Sequence, residues 1–456
     1  MSDRNLTEGP VWRALAKVSG PMSFGILAVL SVGVADAYFL GQLGSAPLAA
    51  VGFVYPVTTA ITSLAIGLSA GANAVISQKI GAEASTGTVN RVAFHTLGLG
   101  LTLGVAVALV FWLIAEPLFQ LMGASDAAIT EAMAYAPFWA LSFPFLVGQM
   151  LLNAIFRAHG NGAASAAIMI LAAVFAIGLN PVLIFGWGPI DDMGTAGAAV
   201  ATAIGRVIVL AVALFLAIRF GFLSLCTDPL KNLANSMRET LSVGAPAAFS
   251  NAINPAGMAM VTAAVATLGE AAVAGFGAAA RVQSLIFVPM LALSAGIGPV
   301  VGQNWGAQAQ DRARAAVGWA WGFCAVYGLL AAVSVTVFAT PLAALFAEEG
   351  SNVAAFAETY LIVVSWSFAG YGMLVTANAA INGRSKALYS MGLSTCRIAL
   401  VYVPLAWLGV WSLGYDGILA AAVAANVLAI LGAIWCLQRV GLWPGISRGA
   451  PSAQAT

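Results

Sequence analysis

The sequence predicts an all-α polytopic membrane protein with twelve transmembrane helices in two pseudo-symmetric six-helix bundles. Three observations predict this fold: the composition, the spacing of the apolar runs and an internal repeat. Of the 456 residues, 61% are hydrophobic and only 8% are charged, and the mean hydropathy is +0.95. Because soluble domains carry about 25% charged residues, most of this chain requires an apolar solvent.

Twelve apolar runs are long enough to cross a bilayer, which takes about 20 residues for roughly 30 Å. They lie at 16–41, 47–78, 93–122, 133–157, 164–187, 195–219, 241–267, 272–303, 316–346, 357–382, 388–412 and 417–439. The segment before the first run lacks the apolar core of a cleaved signal peptide. We predict an N-terminal lobe at 1–225, a cytoplasmic linker at 226–240, a C-terminal lobe at 241–440 and a disordered tail at 441–456.

An internal repeat relates the two halves. Adding 225 to the residue number maps the segment LSAGANAVISQKIGA (68–82) onto LSAGIGPVVGQNWGA (293–307). Other matched pairs are Pro21 with Pro246, Tyr135 with Tyr360, Ser142 with Ser367 and Asn153 with Asn378. Each half has an even number of helices, so both halves insert the same way up. Transporters place a substrate path between two repeats of this kind.

The basic residues predict the orientation of the chain. With the N-terminus in the cytoplasm, 15 of the 18 Lys and Arg residues fall on the cytoplasmic side, and the opposite loops carry only acids. This asymmetry follows the positive-inside rule, and it predicts a bacterial inner-membrane protein with both termini in the cytoplasm. Arg397 is predicted just inside the cytoplasmic end of helix 11, whereas Arg206 and Arg281 fall well inside helices.

The remaining composition excludes several classes of function. A net charge of +1 leaves no basic surface for nucleic acid. The four cysteines lie far apart and there are only two histidines, so no metal-ligand cluster or disulfide is predicted. The sequence has no glycine-rich phosphate loop with lysine and no recognisable nucleophile with a histidine partner. We therefore predict a protein that is not an enzyme and that has no cofactor, with an ion gradient as its energy source.

Asp36 is the clearest candidate for chemistry. It lies about five residues, or roughly 8 Å, inside the outer end of predicted helix 1. A charge is costly in hydrocarbon, and burial favours the neutral form of a carboxyl group. Asp36 could therefore carry a proton, or bind Na⁺ as a carboxylate; a carboxylate that reaches water or caps a helix is the alternative. Its repeat position is Val261, so the acid serves one lobe alone.

Several uncharged residues are further candidates. Asn180, followed by Pro181, is predicted at the depth of Asp36 and could hydrogen-bond it or a bound ion, although a simple helix kink explains the pair equally well. Pro21 could let helix 1 bend. Polar positions that could line a substrate or ion path are Gln149, Asn153, Thr202, Asn254 and Asn378. Hydrogen bonds between helices are the alternative for each of them.

In this order and at this spacing, the motifs resemble those of the MATE (multidrug and toxic compound extrusion) transporters over nearly the whole chain. The motifs are DAYFLGQLG from Asp36, NAIFRAHGNG from Asn153, NPVLIFG from Asn180, GTAGAAVAT from Gly194 and PVVGQNWGA from Pro299. The resemblance implies two six-helix lobes in a V shape and export of organic, often cationic, compounds driven by H⁺ or Na⁺ entry. The sequence looks most similar to the DNA-damage-inducible (DinF-like) branch. That resemblance implies that Asp36 is the coupling acid and that helix 1 bends at Pro21.

The chain departs from the family pattern in ways that favour H⁺. Asn180 stands where members commonly have Asp, Ala176 stands where Asn is often seen, and the acids that one branch uses in helices 7 and 10 are absent. We predict a monomer in membrane lipid that exchanges small organic substrates for H⁺ by alternating access. Three alternatives stay open: a Na⁺-coupled exporter of the same family, a flippase for lipid-linked precursors, and a membrane-embedded enzyme or receptor.

Overall fold

The structure is a computed structural model that describes residues 5–188, 191–224, 228–346, 348 and 350–444, with only the backbone described at 45–51 and 127. The first six spans are α1 (Val11–Leu43), α2 (Ser45–Gly81), α3 (Thr86–Leu121), α4 (Asp126–Leu141 and Phe143–Ala158), α5 (Gly162–Phe185) and α6 (Gly194–Arg219). The two parts of α4 are bent by 45° at Ser142. Pro144 lies in the first turn after this break, where its missing N–H removes no helical hydrogen bond.

The second six spans repeat this layout. They are α7 (Leu233–Ala266), α8 (Glu270–Ile286 and Val288–Gly306), α9 (Gln310–Val337), α10 (Asn352–Val364 and Phe368–Gly383), α11 (Ala387–Thr395 and Val403–Leu413) and α12 (Tyr415–Arg439). The two parts of α8 are bent by 48°. A 3₁₀ turn, Ser365–Ser367, joins the parts of α10, a π-helical segment, Cys396–Tyr402, joins those of α11, and a short helix, Ala339–Ala344, follows α9.

Twelve spans account for the described chain, as the sequence predicts. Nine of its helices are long and apolar enough to cross a membrane on their own, and the two bent pairs in α4 and α8 raise this number to eleven. The twelfth span is α7, whose 34 residues are long enough but less apolar. Polar side chains such as Asn251 and Asn254 lower its hydropathy.

Two predicted boundaries need correction. Helix α7 begins at Leu233, so the second half of the predicted linker is helical, because its polar first turns extend beyond the apolar run. The predicted tail is packed at residues 441–444: Leu442 is fully buried, and Arg314 Nε donates a hydrogen bond to the Gly441 carbonyl at 3.0 Å. These contacts bury apolar side chains against α9. Residues 445–456 of the tail, and Cys226 in the linker, lie outside the described residues.

An even number of spans places both ends of the described chain on one side of the bundle. We call it the basic side, because Lys79 and Arg384 lie there, and we call the opposite side, with Glu270 and Asp416, the acidic side. On the basic side the lobes are joined by two repeat-related hydrogen bonds. Gln78 Nε2 donates to the Gly383 carbonyl, and Gln303 Nε2 donates to the Ala158 carbonyl, each at 2.7 Å.

Close packing of backbones accompanies these bonds. A Cβ atom on Gly81 would overlap the carbonyl group of Gln303, and a Cβ atom on Gly306 would overlap that of Gln78. The lobes therefore meet through glycines at equivalent places in α2 and α8, which allows their backbones to approach. Lys79 and Glu239 add an ion pair of 3.1 Å between α2 and α7. These contacts close the basic side.

The residues that precede α1 also contribute to this closure. Leu6 is buried, its backbone N–H donates to Gln303 Oε1 at 3.0 Å, and its carbonyl accepts from Asn304 Nδ2 at 3.1 Å. Arg312 Nη1 donates to the Gly9 carbonyl at 2.8 Å. The N-terminal segment of one lobe is thus hydrogen-bonded to α8 and α9 of the other.

Candidate ion-coupling site

Asp36 and Asn180 come together in the N-terminal lobe. Asp36 lies seven residues before the end of α1, or about 10 Å from it along the helix. Its side chain is partly buried and accepts a hydrogen bond from Asn180 Nδ2 on α5. The structure therefore joins the one carboxyl group of predicted helix 1 to the amide that the sequence places at the same depth.

The Asn180 amide donates a hydrogen bond, but its oxygen accepts none from the described residues. Asn180 is 1% exposed, and its Oδ1 atom has no hydrogen-bond partner among the described residues. An amide carries both donors and an acceptor, so the same side chain can donate to a carboxylate or, after turning over, accept from a protonated carboxyl group. The pair can accommodate both protonation states of Asp36.

Arg206 is a partly buried positive charge that interacts with this site. It lies on α6, interacts electrostatically with Asp36 and Tyr135, and makes no ion-pair contact within the described part of the chain. Its Nη1 donates a hydrogen bond to the hydroxyl of Ser142, at the break of α4. From the sequence, Arg206 is predicted inside a helix but is not linked to Asp36. The repeated serine at position 142 is a signal that could have pointed to the helix break.

The other predicted residues lie away from Asp36 in the described hydrogen-bond network. Gln149 and Asn153 are buried in the second part of α4, and Thr202 is partly exposed on α6. Pro21 lies fifteen residues before Asp36, about 22 Å along a helix that is continuous through the proline. The described residues hold no group of three His, Cys, Asp or Glu side chains that could bind a metal ion.

Asn254 and Asn378 belong to a second polar cluster, in the C-terminal lobe. At its centre is Arg397, whose Nη1 donates to Asn254 Oδ1 at 3.3 Å and whose Nη2 donates to Asn426 Oδ1 at 2.9 Å. Asn378 Nδ2 joins the same region by donating to the hydroxyl of Ser394 at 3.0 Å. We call these five residues the Arg397 cluster.

The predicted location of Arg397 near the basic end of its helix is wrong. Arg397 lies ten residues after the start of α11, or about 15 Å into the bundle. Two serines in the stretch before it, Ser390 and Ser394, bond to other helices. Ser390 donates to Asn382 Oδ1 at 2.6 Å, and Ser394 accepts from Ser250 at 2.7 Å. Their pairing allows a polar segment to be embedded.

The two clusters occupy related places in the repeat. Asn426 lies twelve residues after Gly414 in α12, just as Arg206 lies twelve residues after Gly194 in α6. Asn426 Nδ2 donates to the hydroxyl of Ser367 at 2.8 Å, as Arg206 does to that of Ser142. A polar side chain of the last helix thus holds the break of the fourth helix in both lobes.

Comparison with known proteins agrees with the repeat. The MatE family model matches the chain twice, at residues 21–182 and 246–408. The chain is 32% identical over 443 residues to an FAD transporter of Shewanella oneidensis, covering 96% of this chain and 97% of that protein. It is also 26% identical over 421 residues to the probable multidrug resistance protein YpnP of Bacillus subtilis, covering 91% of this chain and 93% of the relative.

A solved structure extends the likeness to the whole fold. The outward-facing conformation of a multidrug resistance MATE family transporter superposes with a TM-score of 0.90 at 26% identity, covering 96% of this chain and 98% of that one. The twelve helices form the V-shaped pair of bundles of this family, and the chain is a multi-pass membrane protein. With both of its halves matched by the same model, the chain belongs to the MatE family of transporters.

Proposed function

We propose that this protein is a proton-coupled antiporter that exports small organic compounds by alternating access, with Asp36 as its coupling acid. The observation that carries the proposal is the carboxyl group of Asp36 inside the membrane, bonded to an amide whose acceptor atom is free. Such a pair can bind a proton without losing its hydrogen bond. The basic side faces the cytoplasm in this proposal, in keeping with the positive-inside rule.

The arrangement supports a simple coupling cycle. The lobes are in contact on the basic side, and in this proposal Asp36 takes up its proton from the opposite side. In its charged form Asp36 is compensated by Arg206, and protonation changes the net charge of this pair from zero to +1. Turning of the Asn180 amide then changes the contacts between α1 and α5, and Pro21 is the place where α1 bends. Substrate is released as the pocket closes.

The same geometry favours H⁺ over Na⁺. Hard cations in proteins take about six oxygen ligands, whereas the Asp36 carboxylate and the free Asn180 Oδ1 offer far fewer. Arg206 also interacts electrostatically with the carboxylate, so its charge opposes a bound cation at that place. A proton needs one acceptor and no shell of ligands.

We also propose the oligomeric state, the location and the residues that line the substrate path. The protein acts as a monomer in the bacterial inner membrane, with its lobes at 1–225 and 241–440 and no cofactor, and belongs to the DinF-like branch. Gln149, Asn153 and Thr202 line the path in the N-terminal lobe, and Asn254 and Asn378 line it in the C-terminal lobe.

Two classes of substrate are candidates. Hydrophobic organic compounds, often cationic, are the first, because a relative is named as a probable multidrug resistance protein. Organic anions such as FAD are the second, because the Shewanella relative is named as an FAD transporter and is similar over 96% of this chain. The unneutralised guanidinium of Arg397 favours this second candidate.

The test is transport by purified protein in proteoliposomes with imposed H⁺ or Na⁺ gradients. We expect an inward proton gradient to drive substrate export and a Na⁺ gradient to have no effect. Asp36→Asn should reduce proton-driven export by about 100-fold or more, because an amide cannot bind and release a proton at working pH. Asp416→Asn, which removes an acid far along the chain from the Asp36 site, on the acidic side, is the matched control and should transport normally. Export that persists in Asp36→Asn, or that follows Na⁺, would contradict the proposal.

A further inference from the structure

The Arg397 cluster places an arginine deep in the C-terminal lobe. Arg397 lies about 15 Å from the start of α11 and about 24 Å from its end at Leu413. A guanidinium at this depth is expensive, and ionisable groups within the membrane usually serve a function. It also lies in a π-helical segment, Cys396–Tyr402. Such segments occur frequently at functional sites.

Every described partner of Arg397 is uncharged. Nε and Nη2 both donate to Asn426 Oδ1, at 3.2 and 2.9 Å, and Nη1 donates to Asn254 Oδ1. The guanidinium carbon lies 5.4 Å from the centre of the Tyr371 ring. The ionisable groups that interact electrostatically with Arg397 are three tyrosines, and it makes no ion pair within the described residues. The positive charge is therefore held by amides and rings and is not neutralised.

The guanidinium is held in place by hydrogen bonds, and some of its N–H groups are available for a ligand. Asn426 is held by Ser367, and Asn254 Nδ2 donates to the Ser250 carbonyl at 3.3 Å. Helices α7, α10, α11 and α12 thus orient Arg397 before any ligand arrives. Described residues accept from three of the five N–H groups of the guanidinium, which leaves two without an acceptor in this part of the chain. Arg397 as a residue is partly exposed.

The repeat indicates that this charge is a special feature of one lobe. Arg397 lies seven residues before Pro404 in α11, and the residue seven before Pro181 in α5 is Val174. The arginine is therefore not part of the framework that the lobes share. In this respect it resembles Asp36, whose repeat position is Val261.

We propose that the Arg397 cluster is a substrate-binding site for an oxyanion, and specifically for the phosphate group of an organic phosphate. A guanidinium with two free N–H groups matches the planar geometry of a phosphate or carboxylate. Binding would neutralise the buried charge and would satisfy the free donors. This assignment rests on the proposed transport function, because it names the class of substrate that the C-terminal lobe receives.

Riboflavin and flavin mononucleotide (FMN) test the assignment, because they differ by one phosphate and both fluoresce. Their binding is measured by fluorescence anisotropy on the full chain in nanodiscs of neutral lipid. We expect FMN to bind at least about tenfold more tightly than riboflavin, as hydrogen bonds to a charged group predict. Equal binding of the two compounds would overturn the proposal.

Asn254→Asp is the decisive variant. It keeps the size of the side chain but sets a carboxylate against Arg397, so we expect the preference for FMN to disappear. Asn352→Asp adds the same charge at an exposed position on the acidic side and should keep the preference. Arg397→Lys should weaken FMN binding by about tenfold, because lysine loses the fork of donors. A preference for FMN that survives Asn254→Asp and Arg397→Lys would overturn the proposal.

Two further arms separate the possible outcomes. The first repeats the FMN titration in nanodiscs that contain phosphatidylglycerol. If the site binds lipid phosphates, this lipid will compete with FMN; if the site takes only soluble organic phosphates, FMN binding will not change. Either result supports an oxyanion site. Binding is measured without any ion gradient, so it can succeed even if proton-coupled transport fails. Proton-driven export of a cationic drug, together with no preference for FMN, would overturn this inference and leave the proposed function standing.

Discussion

The two lobes share one framework and carry opposite chemistry at its centre. In each lobe a polar side chain of the last helix bonds to the serine at the break of the fourth helix. The N-terminal lobe adds an acid, Asp36, that interacts electrostatically with its arginine, so the two charges can cancel. The C-terminal lobe adds only Arg397, which has no acidic partner within the described residues.

The difference shows how each lobe can meet the cost of a buried charge. A carboxyl group can become neutral by taking up a proton, whereas a guanidinium keeps its charge at any working pH. Asp36 can therefore do without a fixed partner, and Arg397 cannot. We expect the N-terminal lobe to change its charge during transport and the C-terminal lobe to keep its charge until an anion binds.

The largest expected effect is on the free energy of unfolding, which should depend more on the partners of Arg397 than on the partner of Asp36. Asn426→Leu keeps the branching of the side chain but removes the Oδ1 atom that accepts from both Nε and Nη2 of Arg397. It should lower the free energy of unfolding by about 3 kcal/mol. Asn180→Leu removes the partner of Asp36 in the same way but should cost only about 1 kcal/mol, because Asp36 can take up a proton. Thermal unfolding of both variants in the same detergent measures the difference.

Asn352→Leu controls for the loss of an amide, because Asn352 is exposed. We expect its unfolding temperature to stay within the error of the wild type. Equal losses in Asn426→Leu and Asn180→Leu would mean that Arg397 is compensated by a group outside its described partners.

The twelve spans, the asymmetry of Asp36 and its pairing with Asn180 could be predicted from the sequence. Runs of apolar residues predict the twelve spans because a bilayer fixes their length. The repeat predicts that Asp36 belongs to one lobe alone, since Val261 stands at the matching position. The depth of Asn180 in predicted helix 5 also suggested that it could reach Asp36, and the structure joins the two.

The Arg397 cluster could not be predicted, because it depends on how distant helices are rotated against one another. Asn254, Arg397 and Asn426 come from three helices and meet through contacts that span 143 and 29 residues. The π-helical segment shifts the side chains of α11 in a way that no apolar pattern records.

The next effect concerns the basic side, where Gln78 and Gln303 make equivalent hydrogen bonds between the lobes but differ in burial. Gln303 is 1% exposed and bonds both to Leu6 and to the Ala158 carbonyl, whereas Gln78 is partly exposed. Gln303→Ala should therefore destabilise the closed state by about 2 kcal/mol and Gln78→Ala by about 1 kcal/mol. Labelling of Ser77→Cys, a buried position between the lobes, by a thiol reagent added from the basic side measures the opening.

This measurement uses a chain without its four native cysteines. We expect labelling to become about thirtyfold faster with Gln303→Ala and about fivefold faster with Gln78→Ala. Equal rates for the two variants would show that the N-terminal segment around Leu6 contributes nothing to closure.

The smallest effect compares the serines at the two helix breaks. Ser142→Ala and Ser367→Ala should each cost about 1 kcal/mol of stability, since each loses one accepted hydrogen bond. Their functional effects should differ, because Ser142 bonds to Arg206, which interacts electrostatically with Asp36, whereas Ser367 bonds to Asn426, which bonds to Arg397. We expect Ser142→Ala to slow proton-driven export about threefold with normal FMN binding, and Ser367→Ala to weaken FMN binding about threefold with normal proton coupling. If both variants changed both properties equally, the division of labour between the lobes would be wrong.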